Sequence, residues 1–362
     1  MTSVVLAGGG TAGHTSPMIA TAKAIQDAAD ASIVCIGTAR GLETRVVPAA
    51  GLRLELVRPV PLPRTVGVEM LKTPFKLAAS TWQARKILKR ERADVLVGFG
   101  GYVSIPAYLA AWLCRVPVVV HEANKLAGIA NKVGARFARV VAITFRETQL
   151  RGGRMVGMPM ARSITHPVVG AAEARRYFGL DEDRPTLLVS GGSQGALALN
   201  QAVRDAREAL LAAGIQILHA IGPKNFSDAD VVVQHSSGAR YVPVEFVEDM
   251  AVAYAAADLM LGRAGAGTVI ETAVSGVPVI FVPLPWGNGE QGKNAAELVV
   301  AGGGVLVPEA ELDAERLIET VTGLVAEEGA LERMSAICRD MYPADAAETL
   351  ARVVLELAEG RK

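Results

Sequence analysis

The stretch that decides the fold is Gly262 to Asn294, which reads GRAGAGTVIETAVSGVPVIFVPLPWGNGEQGKN. An apolar run, Leu259-Met260-Leu261, leads into its glycine loop, and a helical pattern of apolar residues follows from Val269. This order predicts a strand, a tight loop and a helix N-terminus, whose unpaired N–H groups and positive dipole end suit a diphosphate. Glu271 comes one turn into the helix, where a carboxylate can accept two adjacent ribose hydroxyls.

A second apolar run, Val277 to Val282, leads into proline-rich turns and then into a polar cluster, Gly289 to Asn294. The cluster, GEQGKN, offers hydrogen-bonding side chains to sugar hydroxyls. Together with the glycine loop it predicts a sugar-nucleotide pocket. The alternative is an ordinary glycine-rich loop followed by a solvated polar turn.

The same strand, loop and helix pattern repeats along all 362 residues. Short apolar runs alternate with helical patterns, an order that predicts parallel sheets with crossover helices. The pattern restarts near Thr186, after a linker with several prolines at Gly157 to Pro167. We therefore predict an α/β fold of two doubly wound, Rossmann-like domains facing a central cleft. The predicted divisions are residues 1–163, residues 164–343, and a C-terminal helix in residues 344–362 that can return to the first domain.

The charge of the chain is zero in total but uneven along its length. Residues 1–163 contain 22 lysines and arginines against 9 aspartates and glutamates, and the remainder contains 15 against 28. A basic half suits an anionic membrane surface, a phosphorylated substrate or nucleic acid. Nucleic acid is the least favoured of these, because no helix-turn-helix, zinc or aromatic-basic RNA motif accompanies the charge.

The cysteines and the apolar stretches indicate a cytoplasmic protein. Three isolated cysteines without metal or redox spacing are typical of a reducing compartment. The first residues lack a signal-peptide pattern. The longest apolar stretch, Val103 to Val120, contains Pro106, Arg115 and Pro117, so it falls short of a membrane span.

The first glycine loop, Gly8 to His14, reads GGGTAGH and contains a GxGxxG pattern. No acidic residue ends the second strand to hold an NAD ribose, which disfavours a dehydrogenase, although Arg40 leaves NADP formally open. The loop can instead bring backbone amides and the Thr11 hydroxyl to a substrate diphosphate. His14 at the helix start carries the side chain best matched to proton transfer at neutral pH, the alternative being a helix-end residue that bonds backbone.

A second glycine loop, Gly98 to Tyr102, comes directly after a predicted strand, and two further loops follow other predicted strands. His121-Glu122-Ala123-Asn124 lies at a strand end, where ligands of open α/β sheets bind, so Asn124 can reach a sugar. His121 and Glu122 are expected to order this loop, with Glu122 kept beside His14 as a candidate catalytic residue. The third glycine loop, Ser190 to Ala196, offers Ser193 to a phosphate.

Metals and cofactors are not expected. Asp181-Glu182-Asp183 and Asp228-Ala229-Asp230 match the DxD spacing by which many glycosyltransferases hold a divalent ion, but both lie in predicted polar turns. Without a metal, a leaving diphosphate has to be stabilised by helix termini, amides and cationic side chains.

A basic amphipathic helix is predicted between Glu69 and Arg92. Leu77, Ala84 and Leu88 can serve the core, which leaves the side with Phe75 and Trp82 spare. Apolar anchors surrounded by basic residues, among them Lys72 and Arg85, are typical of a helix that lies on a membrane surface. The alternative is that Trp82 packs inside the domain.

Several motifs occur in order along nearly the whole chain: GGGTAGHTSP, GFGGYVS, HEAN, GGSQGALALNQ, EFVEDMAVAYAAADL, RAGAGTVIE and GNGEQGKNA. With these motifs the chain resembles the MurG family of undecaprenyl-diphospho-muramoylpentapeptide N-acetylglucosaminyltransferases. The resemblance implies a GT-B fold and inverting transfer of N-acetylglucosamine from UDP-N-acetylglucosamine to the C4 hydroxyl of the muramoyl sugar of lipid I, giving lipid II and UDP. It also implies a role in cell-wall biogenesis, cell shape and cell division, at the cytoplasmic face of an anionic bacterial membrane.

The resemblance also implies roles for individual residues. His14 becomes the candidate base, Asn124 lies near the donor sugar, and Val247 stands where backbone groups read the uracil. The substrate-binding residues implied in this way are Thr11, Ala12, Gly13, Asn124, Arg162, Ser193, Val247, Ala266, Gly267, Thr268, Val269, Ile270, Glu271, Glu290 and Gln291.

The chain departs from the family pattern at two places. Where many members have Gly-Asn-Pro-Val-Arg, with the arginine facing the donor diphosphate, this chain has alanine at position 161 and an arginine only at Arg162. Either Arg162 assumes the role or donor binding is weakened. Where members often have a glutamine pair, this chain has Glu290-Gln291.

Other functions stay open at this stage. A UDP-N-acetylglucosamine 2-epimerase would act on the donor alone, and a non-catalytic paralogue would bind UDP-sugar without turnover. A transferase for soluble acceptors would not need a polyprenyl tail. Joint retention of His14, Asn124, Glu271 and Gln291 favours an active enzyme.

Overall fold

The computed structural model describes residues 1–60, 68–286 and 289–360, and it divides into two compact units. The first unit comprises Met1–Ala161 and Pro343–Lys362, and the second comprises Arg162–Tyr342. The predicted division after residue 163 lies two residues beyond the observed one.

The first unit contains a parallel sheet with helices on both faces. Its strands are β1 Thr2–Gly8, β2 Ala31–Gly37, β3 Arg53–Leu56, β4 Val95–Gly100, β5 Val118–Glu122, β6 Val140–Ile143 and β7 Gly153–Met155. The helices between them are α1 Ala12–Ala28, α2 Glu43–Ala49, α3 Val68–Arg90, α4 Ser104–Cys114 and α5 Ile129–Gly134. Among the described residues the strand order is β3-β2-β1-β4-β5-β6-β7, with every pairing parallel.

The central strands of this sheet, β1, β4 and β5, are mostly apolar because both of their faces are covered. In β1, Val4 to Ala7 are fully buried, and their side chains alternate between two core clusters. One cluster includes Leu88 of α3 and Tyr108 of α4, and the other includes Met18 of α1. Burial of these side chains on both faces fixes the sheet between two helical layers.

The strand order brings the first two glycine loops together. The order reverses between β1 and β4, and in open α/β sheets ligands bind at such a switch point, beyond the carboxyl ends of the strands. The loop after β1 and the loop after β4 are therefore neighbours. A Cβ on Gly101, which has φ +83, would lie 2.5 Å from the carbonyl oxygen of Gly9. Only glycine permits this contact between the loops.

The second unit has the same plan. Its strands are β8 Thr186–Ser190, β9 Gln216–Ala220, β10 Val233–Gln234, β11 Arg240–Val244, β12 Leu259–Gly262, β13 Val279–Phe281 and β14 Gly304–Leu306. Its helices are α6 Arg162–Thr165, α7 Ala171–Tyr177, α8 Leu197–Ala212, α9 Met250–Ala256, α10 Ala266–Ser275, α11 Glu290–Ala301, α12 Ala314–Ala326 and α13 Ala330–Met341. The described strands follow the order β10-β11-β9-β8-β12-β13-β14, in which only β10 is antiparallel to its neighbour. The switch point lies between β8 and β12.

The chain returns to the first unit at its C-terminus. Helix α14, Ala346–Glu359, packs against α1, and its Leu350 and Val354 belong to the same core cluster as Met18 and Ile25. The apolar face of the predicted last helix is thereby buried against the first helix of the chain.

The prediction of two parallel-sheet α/β domains is confirmed. In the described parts of the chain, no helix is both long and apolar enough to span a bilayer.

Candidate active site

His14 lies in the first turn of α1, against the glycine loops after β1 and β4. Its Nδ1 is 3.2 Å from the carbonyl oxygen of Gly9 and 3.3 Å from the Thr11 hydroxyl. Because a carbonyl oxygen can only accept, this contact favours the tautomer with the hydrogen on Nδ1 and the lone pair on Nε2. The ring packs on Gly100, where a Cβ would lie 2.9 Å from Nε2. The fold therefore presents a histidine in the tautomer that can accept a proton at Nε2.

The charge state of His14 also suits a base. Burial lowers its pKa, and the Glu122 carboxylate, the hydrogen bond to Gly9 and the Glu43 carboxylate offset only part of this effect. The pKa therefore lies below the ordinary value of 6.5, and the imidazole is mostly neutral at pH 7. A neutral imidazole is the form that a general base requires.

Thr11, Ala12 and Gly13 are exposed at the start of α1. The N–H groups of a first helical turn have no acceptor within the helix, and the dipole makes this end positive. The predicted anion-binding residues therefore lie on an accessible helix N-terminus directly before His14.

Glu122 ends β5 and is only 2% exposed. Its Oε1 accepts the N–H of Asn124 at 3.0 Å, and its Oε2 accepts the N–H of Gly128 at 2.9 Å and the amide of Asn131 at 3.0 Å. With three donors holding it, the carboxylate orders the loop that carries Asn124. This burial and bonding do not support the predicted catalytic role for Glu122.

The other residues of this loop are placed around it. His121 is fully buried, and its Nε2 donates to the carbonyl oxygen of Gly157 at 2.9 Å, so it connects β5 to the segment after β7. Asn124 is half-buried, and its backbone carbonyl accepts from the Thr148 hydroxyl.

In the second unit the glycine loop of Gly262 to Gly265 leads into α10, as the sequence predicts. Ala266, Gly267 and Thr268 form its first turn, where N–H groups are available to an anion. The side chains of Val269 and Ile270 are fully buried, and the N–H of Val269 bonds to Gly265 within the helix. The structure therefore does not support substrate contact by Val269 or by the side chain of Ile270.

Glu271 lies on α10 and is partly buried. Burial raises the pKa of Glu271 to about 7, although the hydrogen bond from Tyr254 opposes the rise. A carboxylate with a pKa near neutrality changes its charge within the working range of most enzymes.

The other predicted contacts of the second unit lie on loops or in the first turn of a helix. Ser193 is exposed on the loop after β8, and Val247 is 5% exposed after β11. Gln291 begins α11 beside Glu290, and its Oε1 accepts the N–H of Leu284 at 3.1 Å, which leaves the amide hydrogens to donate. Arg162 is exposed at the start of α6.

In both acidic turns with DxD spacing, aspartate carboxylates pair with neighbouring residues of the chain. Asp181 accepts the N–H of Asp183, and the Asp230 carboxylate pairs with Arg204 and with Ser227. Within residues 1–60, 68–286 and 289–360, no three metal-ligating side chains are grouped as a metal site.

Helix α3 presents the two predicted aromatic side chains to solvent. Phe75 is 79% and Trp82 is 54% exposed, and the Arg85 guanidinium lies 4.9 Å from the centre of the Trp82 ring. Ala84 and Leu88 are buried on the opposite side, as predicted, whereas Leu77 is only half-buried. Trp82 therefore does not pack inside the domain. Lys72 is also exposed on this helix.

Three residues beside the sites were not predicted from the sequence. Glu43 binds the first glycine loop, and Tyr254 bonds to Glu271. Arg263, immediately after β12, is 8% exposed, donates to the carbonyl of Val282 and pairs with Glu309. Of the three, only Arg263 had a local signal in the sequence, which is an arginine directly after an apolar strand.

Comparisons with known proteins agree with this geometry. Residues 4–143 match the glycosyltransferase family 28 N-terminal domain, and residues 186–350 match the family 28 C-terminal domain. A curated protein of Cutibacterium acnes is 53% identical, over 99% of this chain and 98% of its own length. One of Nocardioides sp. is 52% identical, over 99% and 98%. Each is named UDP-N-acetylglucosamine--N-acetylmuramyl-(pentapeptide) pyrophosphoryl-undecaprenol N-acetylglucosamine transferase.

Among solved structures, MurG of Acinetobacter baumannii matches with a TM-score of 0.78 and 29% identity, over 98% of this chain and 100% of that chain. The two family 28 domains, the near-full-length relatives and the structural match agree. The chain belongs to glycosyltransferase family 28 and, within it, to the MurG family of N-acetylglucosamine transferases.

Proposed function

We propose that this protein transfers N-acetylglucosamine from UDP-N-acetylglucosamine to the C4 hydroxyl of the N-acetylmuramyl-pentapeptide of lipid I, with inversion, giving lipid II and UDP. The observation that carries the proposal is His14, whose Nδ1 bonds to the Gly9 carbonyl so that Nε2 is left as a proton acceptor. Relatives at 52–53% identity are named as transferases of N-acetylglucosamine from its UDP donor to N-acetylmuramyl-(pentapeptide) pyrophosphoryl-undecaprenol.

In the proposed mechanism the first unit supplies the base. Nε2 of His14 takes the proton of the acceptor hydroxyl while its oxygen attacks C1 of the donor sugar. The first-turn N–H groups of α1, at Thr11 to Gly13, bind the acceptor diphosphate. General base catalysis of this kind contributes about 10²- to 10⁴-fold to a rate.

The second unit holds the donor in this proposal. Glu271 accepts the ribose hydroxyls, backbone groups at Val247 read the uracil, and Gln291 donates to sugar hydroxyls. The N-terminus of α10 and Ser193 bind the diphosphate, and Arg162 replaces the arginine that many relatives have at position 161. Several donors have to converge, because one helix terminus contributes only about 0.3–1 kcal/mol when exposed.

The exposed aromatic side of α3 is proposed to bind the anionic membrane surface that carries the acceptor. Phe75 and Trp82 would enter the headgroup region, while Lys72 and Arg85 face anionic lipid. Helix α4, which packs beside α3, exposes two more apolar side chains, Trp112 at 59% and Leu113 at 52%. The proposed location is peripheral, at the cytoplasmic face of the bacterial cell membrane.

The experiment that tests this function is transfer of radiolabelled N-acetylglucosamine from the UDP donor to a short-chain lipid I analogue. It is run with and without EDTA and beside an acceptor-free control. Product formed equally in EDTA supports metal-independent lipid II synthesis. UDP-sugar binding without product would favour a non-catalytic paralogue, and isomerisation of the donor alone would favour an epimerase.

A further inference from the structure

Glu43 is the first residue of α2, and its side chain is fully buried. An isolated carboxylate is costly to bury unless donors or a cation satisfy it. Among the described residues no lysine, arginine or histidine forms an ion pair with Glu43. The carboxylate is therefore held by hydrogen bonds from neutral groups, and the identity of those groups indicates its role.

Three donors satisfy the Glu43 carboxylate. Oε2 accepts the N–H of Gly10 at 2.8 Å, and Oε1 accepts the N–H of Thr38 at 2.8 Å and the Thr38 hydroxyl at 2.9 Å. Burial raises the pKa of Glu43, but these hydrogen bonds lower it by more, so the pKa lies below its ordinary value. Glu43 is therefore a buried anion at neutral pH that is bonded directly to the first glycine loop.

The chain around Glu43 leaves room for this anion. Three glycines from different segments, Gly9, Gly37 and Gly41, surround it, and a Cβ on any of them would come within 3.0 Å of the Glu43 side chain. At such distances either the Glu43 side chain or the backbone would have to shift. The three glycines thus form the space in which the carboxylate meets the N–H of Gly10.

One peptide group connects Glu43 to His14. The N–H of the Gly9–Gly10 peptide donates to Glu43, and the C=O of the same peptide is 3.2 Å from Nδ1 of His14. The peptide bond is conjugated, so a negative charge at its N–H increases the electron density on its oxygen. The carbonyl then becomes a stronger acceptor for Nδ1–H. A carboxylate thus acts on an imidazole through an intervening peptide group.

We propose that Glu43 is a positioning residue for proton transfer at His14, which it holds in the Nδ1–H tautomer and stabilises as imidazolium through the Gly9–Gly10 peptide. This inference rests on the proposed role of His14 as the base. A carboxylate bonded directly to a catalytic histidine has the same effect in other enzymes. Here the peptide transmits it, so that the side chain itself never meets the substrate.

Other titratable groups also face His14, and their effects on it must be distinguished from the effect of Glu43. The Glu122 carboxylate raises the pKa of His14 through space, while its own oxygens bond to Asn124, Gly128 and Asn131. His14 and the imidazole of His121 are also coupled, since the charge of His14 lowers the pKa of His121. In the described hydrogen bonds neither group touches the Gly9–Gly10 peptide, so a substitution at Glu43 leaves both groups in place. The Glu43 charge also acts on His14 directly through space, so the substitution tests the peptide connection together with this direct effect.

The test compares Glu43→Gln with wild type and with Thr38→Val. The amide of Gln keeps the volume of the side chain but cannot accept from both Gly10 and Thr38, because one terminal atom is now a donor. We expect kcat with the lipid I analogue to fall about 10- to 100-fold. Losses of this size are typical when a residue that orients a metal-binding histidine is substituted in other enzymes. KM for UDP-N-acetylglucosamine should change less than about twofold, since the donor site is on other residues.

The pH profile separates positioning from simple structural damage. The base must be neutral, so activity is lost as the pH falls through the pKa of His14. Loss of the Glu43 charge lowers that pKa, so the acid limb of kcat/KM should move to lower pH in Glu43→Gln. Thr38→Val removes one donor to Glu43 but leaves the bond to Gly10, so its acid limb should coincide with that of wild type.

A double-mutant cycle tests whether Glu43 acts through His14. If it does, Glu43→Gln lowers kcat in the wild type but has no further effect in His14→Ala. An equal loss in both backgrounds, or an equal shift of the acid limb in Thr38→Val, would overturn the proposal.

One measurement does not depend on turnover and is made on the wild-type protein. Nitrogen-15 NMR of labelled wild-type protein, with His14 assigned by its loss in His14→Ala, reports the tautomer and pKa of His14 directly. We expect Nδ1–H in the neutral form, and a predominant Nε2–H tautomer would overturn the inference. Absence of lipid II synthesis by the wild type would instead count against the proposed function and leave this NMR result standing.

Discussion

The hydroxyl group of Tyr254 on α9 lies 3.0 Å from Oε2 of Glu271 on α10 and donates to it. The tyrosine comes from the helix before the glycine loop, and the carboxylate comes from the helix after it. This hydrogen bond holds the carboxylate that we propose as the ribose partner, and it favours its charged form.

We expect the affinity for UDP to increase with pH between about 6 and 8 in the wild type. The reason is that burial raises the pKa of Glu271 to about 7, and only the ionised carboxylate accepts from both ribose hydroxyls. Isothermal titration calorimetry with UDP at several pH values measures this dependence. In Glu271→Gln the affinity should be lower and nearly independent of pH over the same range.

Tyr254→Phe should weaken UDP binding about 2- to 10-fold at pH 7, since one hydrogen bond contributes about 0.5–1.5 kcal/mol. Loss of the donor also raises the pKa of Glu271 further, so the midpoint of the pH dependence should move to higher pH. Tyr177→Phe is the matched control, because Tyr177 is 76% exposed on α7. An unchanged midpoint in Tyr254→Phe would contradict the positioning role of the tyrosine.

Glu122→Ala should lower the thermal stability of the protein strongly. Without the Glu122 carboxylate, the N–H groups of Asn124 and Gly128 and the Asn131 amide lose their acceptor. Each donor that stays buried and unpaired lowers the free energy of unfolding by about 1–3 kcal/mol. Differential scanning calorimetry measures the effect, with the exposed Glu147→Ala as control. Glu122→Gln, which keeps one acceptor oxygen, should retain kcat within about 10-fold, whereas a catalytic role in direct contact with substrate predicts a loss of about 10²- to 10⁴-fold.

Arg162→Ala should weaken binding of UDP about 10- to 100-fold, because a hydrogen bond to a charged group contributes about 1.5–3 kcal/mol. Binding of uridine, which has no phosphate, should not change. Ala161→Arg in the Arg162→Ala background should recover affinity by restoring the arrangement of many relatives. If Arg162→Ala binds UDP as well as the exposed control Arg151→Ala does, the diphosphate partner is another residue.

Trp82→Glu should reduce binding to vesicles that contain phosphatidylglycerol by at least about 10-fold. Burial of one aromatic side chain contributes about 1.5–3 kcal/mol, and the introduced carboxylate is repelled by anionic lipid. Co-sedimentation with vesicles at low and high salt measures the binding, with Tyr177→Glu as an exposed aromatic control on the other unit. Equal binding by the two variants would exclude the Trp82 side of α3 as the membrane-binding surface.

The fold was largely predictable because its signals are local. Each buried parallel strand is a short apolar run, and each glycine loop directly follows one. Both can be identified without knowledge of any distant residue. The same locality made His14 a candidate, since a histidine at the start of a helix after a glycine loop is visible within seven residues, Gly8 to His14.

The sequence by itself determined two doubly wound units, the positions of their glycine loops and the residues nearest to each loop, because apolar periodicity and glycine spacing act over short distances. Only the tertiary structure decided that Trp82 faces solvent and that Glu122 is enclosed by donors. It also decided which residues distant in the sequence bond to the first glycine loop and to Glu271. Glu43 meets Gly10 across 33 positions, and Tyr254 meets Glu271 across 17. Such pairs depend on which strands become neighbours and which helix faces pack, and burial of the whole core sets both.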